Sequence, residues 1–407
     1  MKLNARHGRP RLLLPPRLIE KSLRGRGVIH TFQSGLEYLR KGQCADMNDR
    51  LFLWGKGIPQ GPYYLLLFPT NVCNLSCRSC WKQACDMNDK IPFERLIKIP
   101  KEAAEIGVKY CEISGGGEPT TRLDDIIKLL KEFKKHGIIT HMRTNGTLLT
   151  EDSIKEIVEG ELLGGIIFSV DGPNAEVNDY LRGRGTFRKL RRNMLLFRDY
   201  KRRLKKVWPH VQIYTVISNR NYSRMSELVE FSKDVGCDFG KAGGLDICIC
   251  AINVHSPMGE ELVLSKKQKK VFVEKLPSAL NLAEFYGINT NFRVLMSGSL
   301  IENTNSMENL ILPNGKPDCE SGPLCLEPWF RMWILAAGNI AICCESPVYD
   351  CDNTSISNHT LKELWSGRFM TKVRQDLQNG KLFPHCFKCS APTFSINRKI
   401  MEALKNY

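Results

Sequence analysis

The sequence of 407 residues contains no apolar run that approaches the ~18 residues needed to span a bilayer. Near the N-terminus, the apolar patch Leu12–Leu14 is followed at once by Pro15, Pro16 and Arg17, so it is too short for the apolar core of a secretory signal. The sequence also has no internal repeat and no long low-complexity tract. With an ordinary hydrophobic fraction of 42% and charged fraction of 25%, these absences predict a soluble globular protein of the cytoplasm.

Cysteine, in contrast, is abundant for that compartment, with 16 residues. In a reducing environment, cysteines are more often metal ligands, catalytic thiols or small buried side chains than disulfides. Cys248 and Cys250 alternate along a predicted strand, so both should point to one face of it. Ten others form two clusters, one at 73–80 and one from 319 onward. The remaining four are scattered and are predicted to be packing thiols: Cys44, Cys85, Cys111 and Cys237.

The formal charge of +16 is concentrated in two stretches. Residues 1–43 carry ten Lys or Arg against two Glu, and residues 188–206 carry ten against one Asp. Such basic stretches suit a polyanion, a phosphorylated substrate or an anionic membrane surface. A solvated basic helix explains 188–206 equally well, so the sequence leaves their partner open.

From Tyr63 onward, predicted strands alternate with predicted helices, which indicates an α/β fold with a parallel sheet, either doubly wound or closed into a barrel. The strands are predicted at 63–68, 109–114, 137–143, 164–170, 211–218 and 240–249. The helices are predicted at 93–106, 123–136, 151–159, 186–204 and 223–235, with a further helix at 265–286 and a strand at 288–294. We divide the chain into a basic extension (1–60, with one helix at 30–40), a main domain (61–297), a linker (298–318) and a small C-terminal domain (319–407).

Polar or glycine-rich segments follow five of these strands. They are Cys73–Cys80, Ser114–Pro119, Arg143–Gly146, Ser169–Gly172 and Ser218–Asn219. Because the active sites of parallel α/β folds form at the carboxyl ends of the strands, these segments should converge on one rim.

The first of these segments holds three cysteines, Cys73, Cys77 and Cys80. Three thiolates cannot complete a tetrahedral zinc site, but they can hold a four-iron cluster with one iron left open. A partial zinc knuckle or a chance spacing is the alternative that the triplet alone allows.

The triplet, the Gly116-Gly-Glu-Pro119 segment and the order of the β-α units together resemble the radical SAM superfamily over roughly residues 63–250. The resemblance implies a partial (β/α)6 TIM-like barrel in which a [4Fe-4S] cluster, held by the three cysteines, binds S-adenosylmethionine (SAM) and cleaves it reductively. It implies SAM contacts from seven residues: Gly115, Gly116, Gly117, Glu118, Asn145, Ser169 and Arg182. For Glu118 the competing role is to cap the following helix, and for Asn145 and Asp171 it is to form a turn.

Four further cysteines in the C-terminal domain form a closed set, namely Cys325, Cys343, Cys386 and Cys389. Their spacing fits zinc or an iron–sulfur cluster. A hairpin at 332–342 that pivots on Gly338 and a helix at 361–377 lie between them, and this layout resembles the Twitch domain, the shortened form of the SPASM domain. That resemblance implies one auxiliary [4Fe-4S] cluster ligated by these four cysteines. Some relatives use a residue placed like Cys319 as a ligand, so Cys319 stays an alternative ligand, and Cys344 and Cys351 are further candidates or unligated thiols.

The resemblance implies a radical SAM oxidoreductase that removes hydrogen from a peptide, a protein or a functionalised small molecule in a net oxidation, with an electron donor such as flavodoxin or ferredoxin. The N-terminal 60 residues look too short for a separate peptide-recognition domain, which disfavours a leader-dependent peptide. The alternative function is a nucleic-acid-binding zinc or iron–sulfur protein that uses the basic stretches at 1–43 and 188–206. In a combined hypothesis, an enzyme is recruited to an anionic surface by its basic N-terminus.

Overall fold

A computed structural model describes residues 44–80, 88–252, 257–296, 325–343, 354–384 and 386. The helix predicted at 30–40 and the linker predicted at 298–318 lie outside the described residues, as do Cys85, Cys319, Cys344, Cys351 and Cys389. Within the described part of the chain, no helix combines the length and the apolar character that a membrane span requires.

The described residues contain fourteen α-helices, two 3₁₀ helices and eight strands. The strands are β1 (Tyr64–Leu67), β2 (Tyr110–Ile113), β3 (Ile139–Thr144), β4 (Gly165–Ser169), β5 (His210–Val216), β6 (Ile247–Cys250), β7 (Arg331–Ile334) and β8 (Ile340–Ala341). The helices as far as the fourth strand are α1 (Cys44–Gly55), α2 (Phe93–Leu96), α3 (Ile99–Glu105), α4 (Leu123–Lys135) and α5 (Glu151–Glu159). Those that follow are α6 (Ala175–Arg182), α7 (Thr186–Leu204), α8 (Met225–Val235), α9 (Pro257–Glu260), α10 (Lys266–Tyr286), α11 (Phe292–Met296), α12 (Glu327–Phe330), α13 (Leu361–Ser366) and α14 (Arg368–Gln378).

The eight strands form one sheet in the order β6-β5-β4-β3-β2-β1-β7-β8. All neighbouring pairs are parallel except β7 and β8. The predicted α/β fold with a parallel sheet is therefore confirmed, and the mostly parallel sheet is consistent with a partial TIM-like barrel. The predicted hairpin also forms, as β7 and β8, but its first strand extends the sheet of the main domain by pairing with β1, from Tyr64 opposite Arg331 to Leu67 opposite Ile334.

The core lies between the outer face of the sheet and the helices. Apolar residues of the strands, such as Ile113 and Ile213, are fully buried there against helix residues such as Phe133 and Phe197. Burial of an aromatic or branched side chain of this size contributes ~1.5–3 kcal/mol, so the helical layer is held firmly on the sheet. The opposite face of the sheet lines the lumen of the partial barrel. The carboxyl ends of the parallel strands lie at the predicted rim.

Two strand predictions were wrong. Residues Phe239–Ala242 form a 3₁₀ turn instead of the start of β6, because the Asp246 carboxylate accepts a hydrogen bond from the Gly240 N–H at 2.9 Å and closes the chain into a loop. The strand predicted at 288–294 is reduced to a single bridge at Thr290 followed by α11. There the Asn291 side chain accepts a hydrogen bond from the Ile249 N–H and donates one to the Ile249 carbonyl oxygen. These two bonds replace the backbone pairing that a neighbouring strand would provide.

At the amino end of β3, burial lowers the pKa of His141 to about 4, far below its ordinary value. The folded protein therefore requires neutral His141, and stability that is present above the unfolded pKa of about 6.5 is lost as the pH falls towards 4. Between pH 7 and pH 5 this single group should cost about 2 kcal/mol of unfolding free energy. We expect the His141→Gln variant to lose about 2 kcal/mol less than the wild type over that interval, measured by anaerobic urea denaturation at both pH values. Equal losses in the two proteins would contradict this assignment.

Candidate active site at the carboxyl ends of the strands

The cysteine loop that follows β1 is fixed by the loop that follows β2. The N–H groups of Gly117 and Glu118 donate to the carbonyl oxygens of Thr70 and Val72, at 3.0 and 2.9 Å. A Cβ on Gly116 would lie 1.9 Å from Asn71 Oδ1, and one on Gly117 would lie 2.1 Å from the Val72 oxygen. Position 117 must therefore be glycine for the two loops to meet, whereas a side chain at position 116 would displace the Asn71 side chain. Contact of Gly115, Gly116 and Gly117 with SAM stays a prediction.

Glu118 is buried, with 3% of its surface exposed, and it joins the ends of β2 and β3. Its Oε1 accepts from the Thr120 N–H, the Thr120 hydroxyl and the Thr144 hydroxyl, at 3.0, 2.6 and 2.7 Å. Its Oε2 accepts from the Asn145 N–H at 2.6 Å. The capping role is thus present, at the 3₁₀ helix that begins at Pro119. Three of these donors share Oε1, which fills the acceptor sites of that oxygen, whereas Oε2 accepts from one donor and keeps a second acceptor site. Contact between Glu118 and the SAM ammonium group stays a prediction.

Asn145 clamps the cysteine loop from the end of β3. Its amide donates to Asn74 Oδ1 at 2.9 Å, and Asn74 in turn donates to the Thr147 hydroxyl at 2.9 Å. The Asn145 Oδ1 also accepts from the Thr147 N–H at 2.9 Å, which forms the turn considered as its alternative role. Asn74 and Thr147 were not identified from the sequence, although Asn74 stands between two of the cysteines.

The three cysteine sulfurs of this loop lie close enough to influence one another. Burial raises the pKa of the Cys77 thiol to about 11, Arg182 opposes this rise, and charges on Cys80 and Cys73 add to it. The Leu75 N–H donates to Cys73 Sγ at 3.4 Å, the kind of contact that stabilises a metal-bound thiolate. Among the described residues, no group of three His, Cys, Asp or Glu is arranged to hold one metal ion. A four-iron cluster spreads its thiolate ligands over the corners of a cube, and ligation of such a cluster by Cys73, Cys77 and Cys80 stays a prediction.

Arg182, at the end of α6, pairs with a protein carboxylate. Its Nε lies 2.7 Å from Asp171 Oδ2, although the alignment is too oblique for a hydrogen bond. Burial alone would lower the pKa of Arg182, but Asp171 and Cys77 more than offset this and raise it. Asp171 also accepts from the Val216 N–H at 2.9 Å. The pair thus links the ends of β4 and β5 to the cysteine loop, and pairing of Arg182 with the SAM carboxylate stays a prediction.

Below this rim, polar side chains line the lumen, and the sequence analysis did not identify them as a site. Arg143 forms an ion pair with Glu112, and its guanidinium lies 4.6 Å from the centre of the Tyr214 ring. Burial alone would raise the pKa of Glu112, but Arg143 holds it below its ordinary value. Burial raises the pKa of Cys250 to about 12, against the lowering influence of Tyr214, so the thiol stays protonated.

Ser169, which was predicted to contact SAM, lies at the carboxyl end of β4 opposite Tyr214 of β5. It is therefore on the same lumenal face as the polar side chains below the rim, and its contact with SAM stays a prediction. The alternation of polar residues in otherwise apolar strands was the signal in the sequence that could have revealed this face.

Three of the four predicted auxiliary ligands are described, and Cys389 lies outside the described residues. Cys325 packs in the same apolar cluster as Ile342, which precedes Cys343, and Phe383. The Phe383 carbonyl accepts from the Cys386 N–H at 2.9 Å. The segments that carry these three cysteines therefore meet in one region, which fits a closed set of thiolate ligands. Ligation by the four cysteines stays a prediction.

Two family models match this chain. Residues 67–232 match the radical SAM superfamily, and residues 325–390 match SPASM, an iron–sulfur cluster-binding domain. The first match covers the cysteine loop and the ends of the first five strands. The second covers β7, β8 and all four predicted auxiliary ligands. The matching C-terminal family is the SPASM domain, so the shorter Twitch form and the count of one auxiliary cluster stay predictions.

Curated and solved proteins agree with these matches. The chain is 32% identical over 119 residues to mycofactocin maturase MftC of Mycolicibacterium smegmatis, covering 29% of this chain and 30% of that protein. It is 27% identical over 179 residues to a PqqA peptide cyclase of Bradyrhizobium diazoefficiens, covering 44% and 45%. The crystal structure of Streptococcus suis SuiB bound to its precursor peptide SuiA has a similar fold, with a TM-score of 0.55, 18% identity and coverage of 82% and 71%. The matched segments span less than half the length of either curated relative.

Proposed function

The chain belongs to the radical SAM superfamily and carries a SPASM-type iron–sulfur domain, and from this premise we propose that it is a maturase that removes a hydrogen atom from a peptide or peptide-derived substrate. The family implies a [4Fe-4S] cluster with SAM, and the C-terminal domain implies auxiliary iron–sulfur chemistry. The chain is therefore an enzyme, which sets aside the alternative of a nucleic-acid-binding protein without catalysis.

One observation carries this proposal: the cysteine loop is bonded at once to two other strand-end loops and to the end of a helix. It is bonded to the loop after β2 at Gly117, to the loop after β3 at Asn145, and to α6 through the Arg78 N–H, which donates to the Leu181 oxygen at 3.0 Å. A loop held from three sides presents its thiols in a fixed geometry. This is what a preorganised reactive site requires.

When bound, the cluster and SAM supply one-electron cleavage of the sulfonium and abstraction of hydrogen from the substrate. Cys73, Cys77 and Cys80 would hold the cluster at the rim. The lumenal residues Glu112 and Arg143 would orient the substrate, since an ion pair in a low-dielectric lumen offers fixed donors and acceptors.

The similar proteins favour a peptide over an unrelated small molecule. The names of the two curated relatives describe a maturase and a peptide cyclase, and the SuiB structure holds a precursor peptide.

The sheet is extended by β7 and β8, which bring the C-terminal domain directly beside β1. Cys325, Cys343, Cys386 and Cys389 would hold an auxiliary cluster beside the barrel. There it could accept an electron from the substrate, so we propose a net two-electron oxidation.

The test is anaerobic purification followed by metal analysis and a SAM assay. We expect about eight irons per chain, if one auxiliary cluster is present, and formation of 5′-deoxyadenosine that depends on both dithionite and SAM. Candidate peptides deuterated at single positions should then transfer deuterium to 5′-deoxyadenosine. Zinc without iron would refute the enzyme, and deuterium transfer only from small molecules would refute the peptide.

A further inference from the structure

The outward face of α7 contains an apolar groove bordered by arginines, which the chemistry at the rim does not use. The groove has a volume of about 440 Å³. Its apolar floor is formed by Phe187, Leu195 and Leu196, all partly buried against the core. Its border is formed by Arg188, by the 191–192 pair of arginines one turn further along the helix, and by one carboxylate, Asp199. Asp199 already pairs with Arg198, so the border keeps a net positive charge.

The charge of this border is available to a partner. Arg191 pairs with Asp234 at 2.7 Å and Arg192 approaches Glu151 at 3.8 Å, but the four side chains are 45–66% exposed. Exposed ion pairs of this kind contribute only ~0–1 kcal/mol, so carboxylates of a partner can replace them. Arg188 takes part in no ion pair among the described residues. The groove therefore combines an apolar floor with a positive border.

Resting on the proposed function, we propose that this groove docks an acidic segment of the substrate peptide whose apolar side chains fill the floor. The leucines are recessed between the arginines, so they suit inserted side chains. A flat lipid surface would not reach them, and a phosphodiester backbone would leave them exposed. The chain's own residues 1–43 are excluded as occupants because their basic charge would be repelled.

The position of the groove also fits a substrate segment. Phe187 lies at the start of α7, where the Asp179 carboxylate accepts from the N–H groups of Gly185 and Phe187 at 2.6 and 2.8 Å. That turn directly follows Arg182, which lies beside Cys77 at the rim. A segment docked along α7 would thus lead the rest of the peptide towards the lumen.

The test is binding to the full chain of a fluorescein-labelled synthetic peptide made of glutamate and leucine at helical spacing, followed by fluorescence anisotropy. Arg188→Glu should weaken binding about tenfold, because it replaces an attraction with a repulsion. Leu195→Ala should weaken it about threefold without a change of charge. The matched control is Arg202→Glu, the same charge change on the same helix but outside the groove, which should change binding less than about twofold.

Each other outcome would overturn the proposal. Equal weakening by Arg188→Glu and Arg202→Glu would show nonspecific attraction to a basic helix. Tighter binding of single-stranded RNA or of phosphatidylserine vesicles, sensitive to Arg188→Glu, would identify a nucleic-acid or membrane surface. Because this assay requires no SAM cleavage, its failure is distinct from failure of the enzyme proposal, which the dithionite-dependent assay measures.

Discussion

Replacement of Cys77 by serine is expected to lower dithionite-dependent formation of 5′-deoxyadenosine about a thousandfold or more, because the three cysteines act as one unit. Serine is nearly isosteric, but its hydroxyl is a poor iron ligand beside a thiolate. The loop should keep its shape, since its bonds run through Gly117, Asn145 and Arg78 rather than through the sulfur. Iron content should fall by about four per chain, while the auxiliary iron remains.

The matched control is Cys237→Ala. Cys237 follows α8 at the opposite end of the barrel from the rim, where its N–H donates to the Ser232 carbonyl. This variant should retain the iron content and SAM cleavage of the wild type. If Cys77→Ser instead retained both, the cluster would have to lie elsewhere in the chain. If both variants lost iron equally, the effect would be one of folding and not of ligation.

Much of the barrel was predictable because its signals are local. The bounds of α5 and α7 match their predictions residue for residue, since helical apolar spacing marks both and Thr150 also caps the start of α5. Convergence of the strand-end loops followed from the direction of parallel strands alone. The hydrogen-bonded pairs within that rim could not be predicted from the sequence. Asn145 bonds Asn74, and Thr144 bonds Glu118, only because two loops meet in the folded chain.

Pairing between strands that are distant in the sequence could not be predicted, for the same reason. The pairing of β1 with β7 joins residues 64–67 to residues 331–334, which are more than 260 positions away in the sequence. Neither segment has a sequence feature that identifies the strand with which it pairs. Helix bounds failed where a glycine or a side chain interrupts the backbone pattern. The helix predicted at 361–377 breaks at Gly367, which adopts an extended conformation between α13 and α14.

Asp171→Ala is expected to lower the unfolding free energy by about 3 kcal/mol, because it leaves the buried guanidinium of Arg182 without its carboxylate. Only 1% of the Asp171 side chain and 12% of the Arg182 side chain are exposed, so water cannot replace the lost partner. The substitution also removes the acceptor of the Val216 N–H. In anaerobic thermal unfolding, a loss of this size should lower the midpoint by about 3–6 °C, because the entropy of unfolding grows with chain length.

Two further variants distinguish the contribution of the Asp171–Arg182 ion pair to stability from the general effect of removing a carboxylate. Asp199→Ala removes the exposed partner of Arg198 and should cost less than about 1 kcal/mol. The double variant Asp171→Ala/Arg182→Ala removes both charges, so it should be more stable than Asp171→Ala alone. A double variant that is less stable by the full sum of the two single effects would show that the residues act independently. In that case Arg182 would not depend on Asp171, and its predicted pairing with the SAM carboxylate would be favoured instead.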